Sequence, residues 1–313
     1  MQFTWQLDAP TGTYKNHAIS NKLRFAAVEK AVLGDFVKAE PGFGKKMGES
    51  ITVNRVRNLT EPGDASLGET EFIPEDNFAI STTSITAKEI GRAVSFSGWA
   101  NILNKFDLED PIQQKLRDQM ALVMDTMVAT AYKTAKIKYA ITGPASNNIT
   151  TNGTFGAAST DNLNAYHVEE IADYMYDTLQ APAYEGEDYI GVFRTLALRG
   201  LMRDPDWEEW HKYTDPQAKF RNEAGRYSGI RFVKTNHNKA FGKVGTGSVL
   251  GEGVVFGEDG VIMAEVLTPE LRMAIPKNFG RFHSIAWYGG LNYGITWDTA
   301  NAGESRVMHI GSL

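Results

Sequence analysis

Residues 222–233, NEAGRYSGIRFV, combine charge, glycine and an apolar run within one short segment. Such a segment can form the floor of an active site, or it can be part of a wall that fits against copies of itself. An active site requires reactive side chains elsewhere in the chain. A wall requires extended segments that other molecules cover.

The bulk composition indicates an ordinary globular protein. Of the 313 residues, 42% are hydrophobic and 22% are charged. The formal net charge of -6 argues against nucleic-acid binding by the whole surface and leaves a local basic face open. The absence of cysteine excludes disulfides, thiolate nucleophiles and cysteine-bound metals. No segment has the pattern of a signal peptide or a membrane span, so we expect a soluble protein of the compartment where it is made.

The N-terminal part is predicted to be a basic arm followed by a long hairpin. The first 57 residues hold nine Lys/Arg and five Asp/Glu, a local charge of +4. Alternating Ile51, Val53 and Val56 predict a strand, and the threonine-rich residues 78–96 are its predicted partner. Residues 61–76, between them, carry six acids and no base. Because a two-stranded ribbon is marginal alone in water, we expect neighbouring molecules to cover it.

The clearest helix follows this hairpin. Asp110 is the predicted N-cap and Pro111 the first helical residue. Helix-forming residues continue to about Lys136, which gives a helix roughly 40 Å long. One buried stripe is predicted from the spacing of Ile112, Leu116, Met120, Val123, Met127 and Ala131.

The second half mixes helices and strands. A surface helix is predicted over residues 166–179, a central strand over 188–193 and a helix from Thr195 through Met202. Strands are predicted over residues 254–267, around Met273, and over 285–288 and 293–297. The order of arm, hairpin, long helix, mixed elements and late strands predicts the α+β class.

Motifs for chemistry are weak. Glu208 and His211 are three residues apart and could share a metal on one helical face, but such a pair is more often a solvated helix end. The glycine-rich residues 245–251 have the wrong spacing for a dinucleotide-binding loop. The pair Asp204 and Asp206 suits a cap or turn better than acid–base work. We therefore predict no catalytic residue, no cofactor and no metal, and we expect self-association instead.

The stretch LRGLMRDPDWEEWHKYTDPQAKFRNEAGRYSGIRFVKTNH resembles the most distinctive part of the tailed-phage major capsid protein family. The segments ESITVNRV and SITAKEIGRAVSFS and the long helix resemble that family in order and spacing. The likeness spans roughly residues 45–300, and the tail after Trp297 has no counterpart. The matching positions are Leu201, Arg203, Asp204, Trp207, Tyr213, Gly225, Gly229, Arg231, Phe232 and Val233.

The resemblance implies the Johnson fold of phage and herpesvirus shells. It implies an N-terminal arm (1–50), an extended loop (51–97), a peripheral domain with a spine helix (98–159) and an axial domain (160–265). Residues 266–313 would be late strands of the peripheral domain and a C-terminal tail. On this basis residues 222–233 belong to a wall, and the protein is a structural component of an icosahedral phage head, not an enzyme.

Charge predicts how copies pair. We hypothesise that the acidic hairpin tip lies over a basic strip on the neighbouring subunit. The alternative is that these acids only improve solubility. The tip acids are Glu61, Asp64, Glu69, Glu71, Glu75 and Asp76, and the candidate strip is Lys115, Arg117, Lys133, Lys136 and Lys138.

The implied partners are those of a capsid lattice. They are other copies in hexamers and pentamers, scaffolding and portal proteins, a decoration protein and double-stranded DNA on the inner face, with no membrane. The basic arm would face DNA or a scaffold, or it would clamp the next subunit. The expected location is the virion, after assembly in the host cytoplasm. Two alternatives stay open: a bacterial nanocompartment shell, and a metal- or sugar-handling enzyme that uses Glu208, His211 and the glycine loop.

Overall fold

The computed structural model describes residues 25–40, 46, 48–59, 66–67, 69, 72–104, 106–212, 223–244, 250–297 and 299–313, except the side chains of 210–212, 223, 243–244 and 250. Within these ranges the α-helices are α1 Gly98–Leu103, α2 Glu109–Lys133, α3 Ala165–Asp173 and α4 Pro205–Lys212. The strands are β1 Lys38–Ala39, β2 Ser50–Val56, β3 Ile80–Thr86, β4 Lys88–Ser97, β5 Ile137–Gly143, β6 Ser146–Thr150, β7 Tyr189–Arg194, β8 Glu223–Tyr227, β9 Ile230–Thr235, β10 Lys243–Val244, β11 Leu250–Phe256, β12 Val261–Met273, β13 Phe282–Ile295 and β14 Val307–Ser312.

The smaller of the two main sheets has four strands in the order β1-β12-β13-β4. The long strands β12 and β13 are antiparallel, and β4 pairs with β13 along its whole length. The predicted strand segments at 285–288 and 293–297 are therefore parts of one strand, β13. Residues 78–96, predicted as one strand, divide at Ala87: β3 pairs with β2, whereas β4 joins this sheet.

Helix α2 lies against the small sheet and confirms the predicted long helix. Its N-terminal half packs Leu116 against Trp287 and Ile285, with Ile112, Met120 and Val123 beside them. The indole Nε1 of Trp287 donates to Gln119 Oε1 at 3.2 Å. A helix of 25 residues is about 37 Å long, so α2 extends well past this contact.

The ends of α2 differ from the prediction. The helix begins at Glu109, so Asp110 is not its N-cap. The preceding turn is instead held by Asp107, whose Oδ1 accepts from the Glu109 amide at 3.0 Å. The helix ends at Lys133, before the predicted Lys136, and the Thr134 hydroxyl at this end donates to the Ala131 carbonyl at 2.7 Å.

The larger sheet has eight strands, ordered β6-β5-β14-β11-β7-β9-β8, with β10 paired to β11. The apolar run predicted as a central strand is β7, which is buried from Tyr189 to Phe193. Segment 222–233 supplies β8 and β9 at one edge. Ser228 and Gly229 both have positive φ (45° and 73°), as a two-residue hairpin turn requires.

Strand β14 was not predicted. It is buried throughout, and it lies between β5, its parallel neighbour, and β11, its antiparallel neighbour. The tail after Trp297 therefore belongs to the large sheet. Strand β12 crosses the predicted boundary between residues 265 and 266, and β5 and β6 share the large sheet with strands of residues 160–265.

The helical predictions for the second half have mixed outcomes. Helix α3, with a π-helical turn over Tyr174–Thr178, confirms the helix predicted for 166–179. The helix predicted from Thr195 is wrong, since residues 195–200 form successive turns that lead into a 3₁₀ turn, Leu201–Arg203. No described helix combines the length and the apolar composition needed to cross a membrane.

Close packing at Gly253 gives the first prediction. A Cβ there would lie 1.9 Å from Cδ1 of the buried Phe193. We expect Gly253→Ala to lower the free energy of unfolding by about 2–3 kcal/mol, the usual cost of overpacking a core. Urea denaturation followed by tryptophan fluorescence measures it.

The matched control is Gly34→Ala, because a Cβ at Gly34 meets nothing within 4 Å. Its free energy of unfolding should stay within about 0.5 kcal/mol of the wild type. Equal stability of the two variants would show that β11 and β7 are not packed as described.

Candidate subunit interface

The ribbon of β2 and β3 rests one face on its own chain. Ile85 packs with Ile262 and Ala264 of β12, and Ile51 and Val53 lie beside them. The opposite face of the ribbon is exposed. The expectation that only neighbouring molecules cover the ribbon is therefore wrong for the face that contacts β12.

Two arginines fix the ribbon at its base. Arg55 is buried, and its Nη1 donates to the Thr296 carbonyl at 2.9 Å. Arg57 Nε lies 3.5 Å from Glu304 Oε1. Asn292 donates to the Thr86 carbonyl, while Thr83 donates to the Thr296 carbonyl. The ribbon therefore follows β13 toward its C-terminal end, and its paired strands end there, at Val56 and Ile80.

The described part of the ribbon tip is apolar with acids beside it. Phe72 is 96% exposed, and Leu59, Leu67, Ile73 and Phe78 are exposed as well. Of the predicted acidic residues, Glu69, Glu75 and Asp76 are exposed, whereas Glu61, Asp64 and Glu71 lie outside the described residues. Exposed apolar groups of this size next to charge are typical of protein interaction sites.

A second exposed apolar surface lies at the other end of the small sheet. There α1 follows β4, and the turn between β12 and β13 approaches it, with the Gly98 amide donating to the Arg281 carbonyl at 2.9 Å. We name this surface the sheet-end patch; it consists of Trp99, Ile102, Leu103, Ile275, Phe279 and Phe282.

The turn that carries Phe279 is strained. Asn278 and Phe279 have φ of 52° and 55°, and the Phe279 side chain is fully exposed. Left-handed backbone costs a non-glycine residue about 1–2 kcal/mol. Lys277 and Arg281 are exposed on the same turn. The patch is therefore an apolar surface with cations at its rim, and the sequence did not predict it because the pairing of β12 with β13 was not foreseen.

The predicted basic strip does not form as one surface. Lys138 is buried, so it cannot meet a carboxylate of another molecule, and its inclusion was wrong. Lys133 pairs with Glu252 of its own chain at 2.5 Å. Lys115 pairs with Asp118 at 3.3 Å. Lys136 and Arg117 are exposed, and their pairing with a ribbon tip stays a prediction.

Lys138 belongs instead to a buried polar cluster. Its Nζ donates to the Lys133 carbonyl at the end of α2 (2.7 Å) and lies 2.9 Å from His309 Nδ1. Burial lowers the pKa of Lys138 to about 8. Burial lowers the pKa of His309 well below its usual range, and Lys138 and Lys133 lower it further. His309 is therefore neutral, accepts from Lys138 at Nδ1, and points Nε2 at Glu252 Oε1, 3.7 Å away.

The residues of the family-like segment form a packing unit. Leu201 and Phe232 are buried in one core, and the Trp207 ring lies edge-on to Phe232 at 5.5 Å. Val233 is buried in the other core, with Val128 and Tyr132. Asp204 accepts from the Ala165 amide at 2.9 Å, which joins α4 to α3.

The remaining members of that segment lie at its margins. Arg231 pairs with Glu185 at 2.8 Å, and Arg203 is exposed. Gly225 and Gly229 both have positive φ, as the β8–β9 turn region requires. Tyr213 lies outside the described residues.

The candidate metal pair gains no support from the described residues. Glu208 is exposed on α4, the His211 side chain lies outside the description, and so do residues 245–249 of the glycine-rich loop. Among the side chains that are described, no three of His, Asp and Glu gather closely enough to hold a metal ion.

A long helix on a four-stranded sheet, a larger mixed sheet and a ribbon anchored between them define the Johnson fold of tailed-phage capsid proteins, in the α+β class as predicted. The capsid of Helicobacter pylori bacteriophage KHP30 is similar at TM-score 0.72 and 12% identity, over 95% of each chain. The capsid of Ralstonia phage GP4 is similar at TM-score 0.67 and 15% identity, over 99% of this chain and 98% of that one. The capsid of cyanophage Pam1 is similar at TM-score 0.71 and 11% identity, over 97% of this chain and 98% of that one. No protein-family model and no curated protein sequence matches.

The buried histidine gives the second prediction. Unfolded histidine titrates near pH 6.5 and folded His309 at lower pH, so the unfolded state binds more protons below about 6.5. Its contribution to stability is complete above about pH 6.5 and is lost as the pH falls below that value. His309→Asn keeps an acceptor for Lys138 and removes the titrating group, so we expect a shallower loss of stability between pH 6.5 and 4.5.

Urea denaturation at several pH values gives the slope of the free energy of unfolding against pH for the wild type and the variant. His283→Asn is the control, because His283 is only partly buried and stacks on Phe96 in the small sheet, whereas the cluster lies in the large sheet. It should keep the wild-type slope. Parallel slopes for all three proteins would show that His309 does not stay neutral in the folded subunit.

Proposed function

We propose that this chain is the major capsid protein of a tailed phage and assembles into an icosahedral head that encloses double-stranded DNA. The observation that carries the proposal is the placement of two exposed apolar surfaces, the ribbon tip and the sheet-end patch, at opposite ends of a Johnson fold. Two such surfaces are not expected on a subunit that works alone, because exposing apolar side chains to water is unfavourable.

The position of the two surfaces requires contact between different copies. The ribbon is anchored near Thr296, beyond the C-terminal end of β13, and its paired strands end there, so the tip residues begin at that end of the sheet. The patch surrounds Phe282, at the N-terminal end of the same strand. Fourteen extended residues span about 45 Å. A tip would therefore meet the patch of another copy, and such head-to-tail contacts form a ring when the rotation between copies closes.

The chemistry of the two surfaces is complementary. Phe72 and Ile73 at the tip face an aromatic patch, and Glu75 and Asp76 face Lys277 and Arg281. Full burial of one large apolar side chain contributes about 1.5–3 kcal/mol, whereas an exposed ion pair adds at most about 1 kcal/mol. Apolar burial would set the affinity, and the charges would set the register.

The remaining roles follow the same proposal. The small sheet with α2 would form the peripheral domain, and most of the large sheet the axial domain, within hexamers and pentamers. The basic arm would face DNA or a scaffolding protein, and portal and decoration proteins would join the lattice. The particle would assemble in the host cytoplasm and become the virion head. The chain would need no catalytic residue.

Electron microscopy of the purified protein tests the proposal. We expect capsomers or closed shells, and nuclease-protected DNA in particles recovered from infected cells. Phe279→Ser removes the central patch aromatic without disturbing a buried contact, and we expect it to lower particle yield at least about tenfold. Monodisperse monomers of the wild type would contradict the proposal, and shells that never contain DNA would favour a bacterial compartment.

A charge exchange tests the pairing of tip and patch. We expect Glu75→Lys/Asp76→Lys and Lys277→Glu/Arg281→Glu each to lower the yield, because like charges would then meet. Combining all four changes should restore most of it, since the opposite charges face each other again.

The matched control distinguishes the patch from the strip predicted earlier. Arg117→Glu/Lys136→Glu reverses the two exposed strip cations, and its yield should stay near the wild-type value. If this variant blocks assembly, and only the tip reversal rescues it, the strip is the receptor and the patch is not.

A further inference from the structure

Residues 25–39, which we name the strap, cross over helix α2 before β1 joins the small sheet. Leu33 is fully buried and Val32 nearly so, in the core that holds Val128 and Tyr132. Strand β1 then pairs in parallel with β12. The strap is therefore part of the folded subunit, and its attachment to α2 can be described atom by atom.

A buried carboxylate on α2 holds the centre of the strap. Asp125 is 1% exposed, and its Oδ1 accepts from the amides of Val32 and Leu33 at 2.9 and 2.8 Å. Its Oδ2 lies 2.6 Å from His237 Nδ1. A buried carboxylate persists only when such partners replace water. Asp125 therefore depends on three donors, two of which belong to the strap.

His237 lies between this carboxylate and a second one on the strap. It is 1% exposed, and its Nε2 is 3.7 Å from Glu29 Oε2. Glu29 also accepts from the amide and the side chain of Asn238, at 3.3 and 3.0 Å. One imidazole thus connects α2 with the first residues of the strap.

The protonation state of this ring decides whether the second contact is attractive. A neutral ring that donates from Nδ1 to Asp125 has a lone pair at Nε2, which faces the Glu29 carboxylate. The Thr126 hydroxyl, 3.5 Å from Nε2, already donates to the Leu122 carbonyl at 2.8 Å. A protonated ring donates at both nitrogens and is attracted to Glu29.

The charged groups that contact His237 among the described residues are these two carboxylates, one from α2 and one from the strap. From β13, Tyr293 lies near Asp125; burial, with help from Glu265 and Asp125, raises the pKa of Tyr293 to about 12, so its hydroxyl stays neutral. Glu29 is partly exposed, which gives protons a route to the ring.

We propose that His237 is a proton-controlled latch, which fastens the strap to helix α2 when protonated and loosens it when neutral. Acidification therefore tightens the latch, because it supplies the proton on which the attraction to Glu29 depends. The latch is a property of one subunit and does not depend on shell formation.

Hydrogen exchange of the purified subunit tests the latch, because the Val32 and Leu33 amides report directly on the bonds to Asp125. After correction for intrinsic exchange, protection of peptides over residues 29–36 should rise about tenfold from pH 8 to pH 5.5, as for one partly buried ion pair. Peptides from β7 provide the internal reference and should not gain protection.

Two variants separate the latch from a general effect of pH. Glu29→Gln removes the charge at a partly exposed position and should abolish the rise while the subunit stays folded. His237→Gln should abolish it too, whereas His283→Gln should keep it. The neighbouring buried His309 cannot imitate the result, since its protonation destabilises the fold at acid pH. Equal protection at both pH values, or an unchanged rise in Glu29→Gln, would overturn the proposal.

Discussion

The structure depends on one helix that fills two hydrophobic cores at once. The first half of α2 places Leu116 under Trp287 of the small sheet, and the second half places Val128 and Tyr132 in the core with Phe256 of the large sheet. Because a helix of 25 residues is a rigid rod over this distance, the two sheets cannot move independently without breaking one of these contacts. The relative position of the two sheets is therefore set largely by α2.

Polar groups within those cores are arranged around the same helix. Asp125 collects two strap amides and His237 on one side of α2, and Lys138 donates to a free carbonyl at its C-terminus. Each of these buried polar groups has specific partners. The position of α2 is therefore fixed by directional hydrogen bonds as well as by apolar contacts. The strap and the large sheet both hold the helix through such matched groups.

The parts of the fold that sequence predicts well are those in which one periodicity dominates. The apolar run of β7 anticipates burial correctly. The periodicity of α2 predicts the helix, and its stripe is buried at Leu116 and Ala131, whereas the buried Val128 and Tyr132 lie outside the predicted stripe. The failures have other physical causes. Lys138 was assigned to the surface because lysine is rarely buried, and only its distant partner His309 makes that burial tolerable.

Only one part of the candidate interface could be predicted from the sequence. The acidic ribbon tip is visible as composition, whereas the sheet-end patch arises only when α1 and the turn at Phe279 meet through pairing of distant strands. Likewise Asp107, not Asp110, holds the turn before α2, a choice between two acids that local sequence does not distinguish. Contacts between residues far apart in the chain were the common missing element.

The central position of β14 has a consequence for biosynthesis. This strand separates β5 from β11. It pairs Met308 with Ile137 and His309 with Lys138, and His309 and Lys138 are 171 positions apart in the chain. Until it has left the ribosome, β5 and β11 each present an open edge that can pair with another nascent chain. Closure of the sheet is consequently a late and slow event, and during translation on polysomes the growing chain is most exposed to misassembly and most dependent on chaperones.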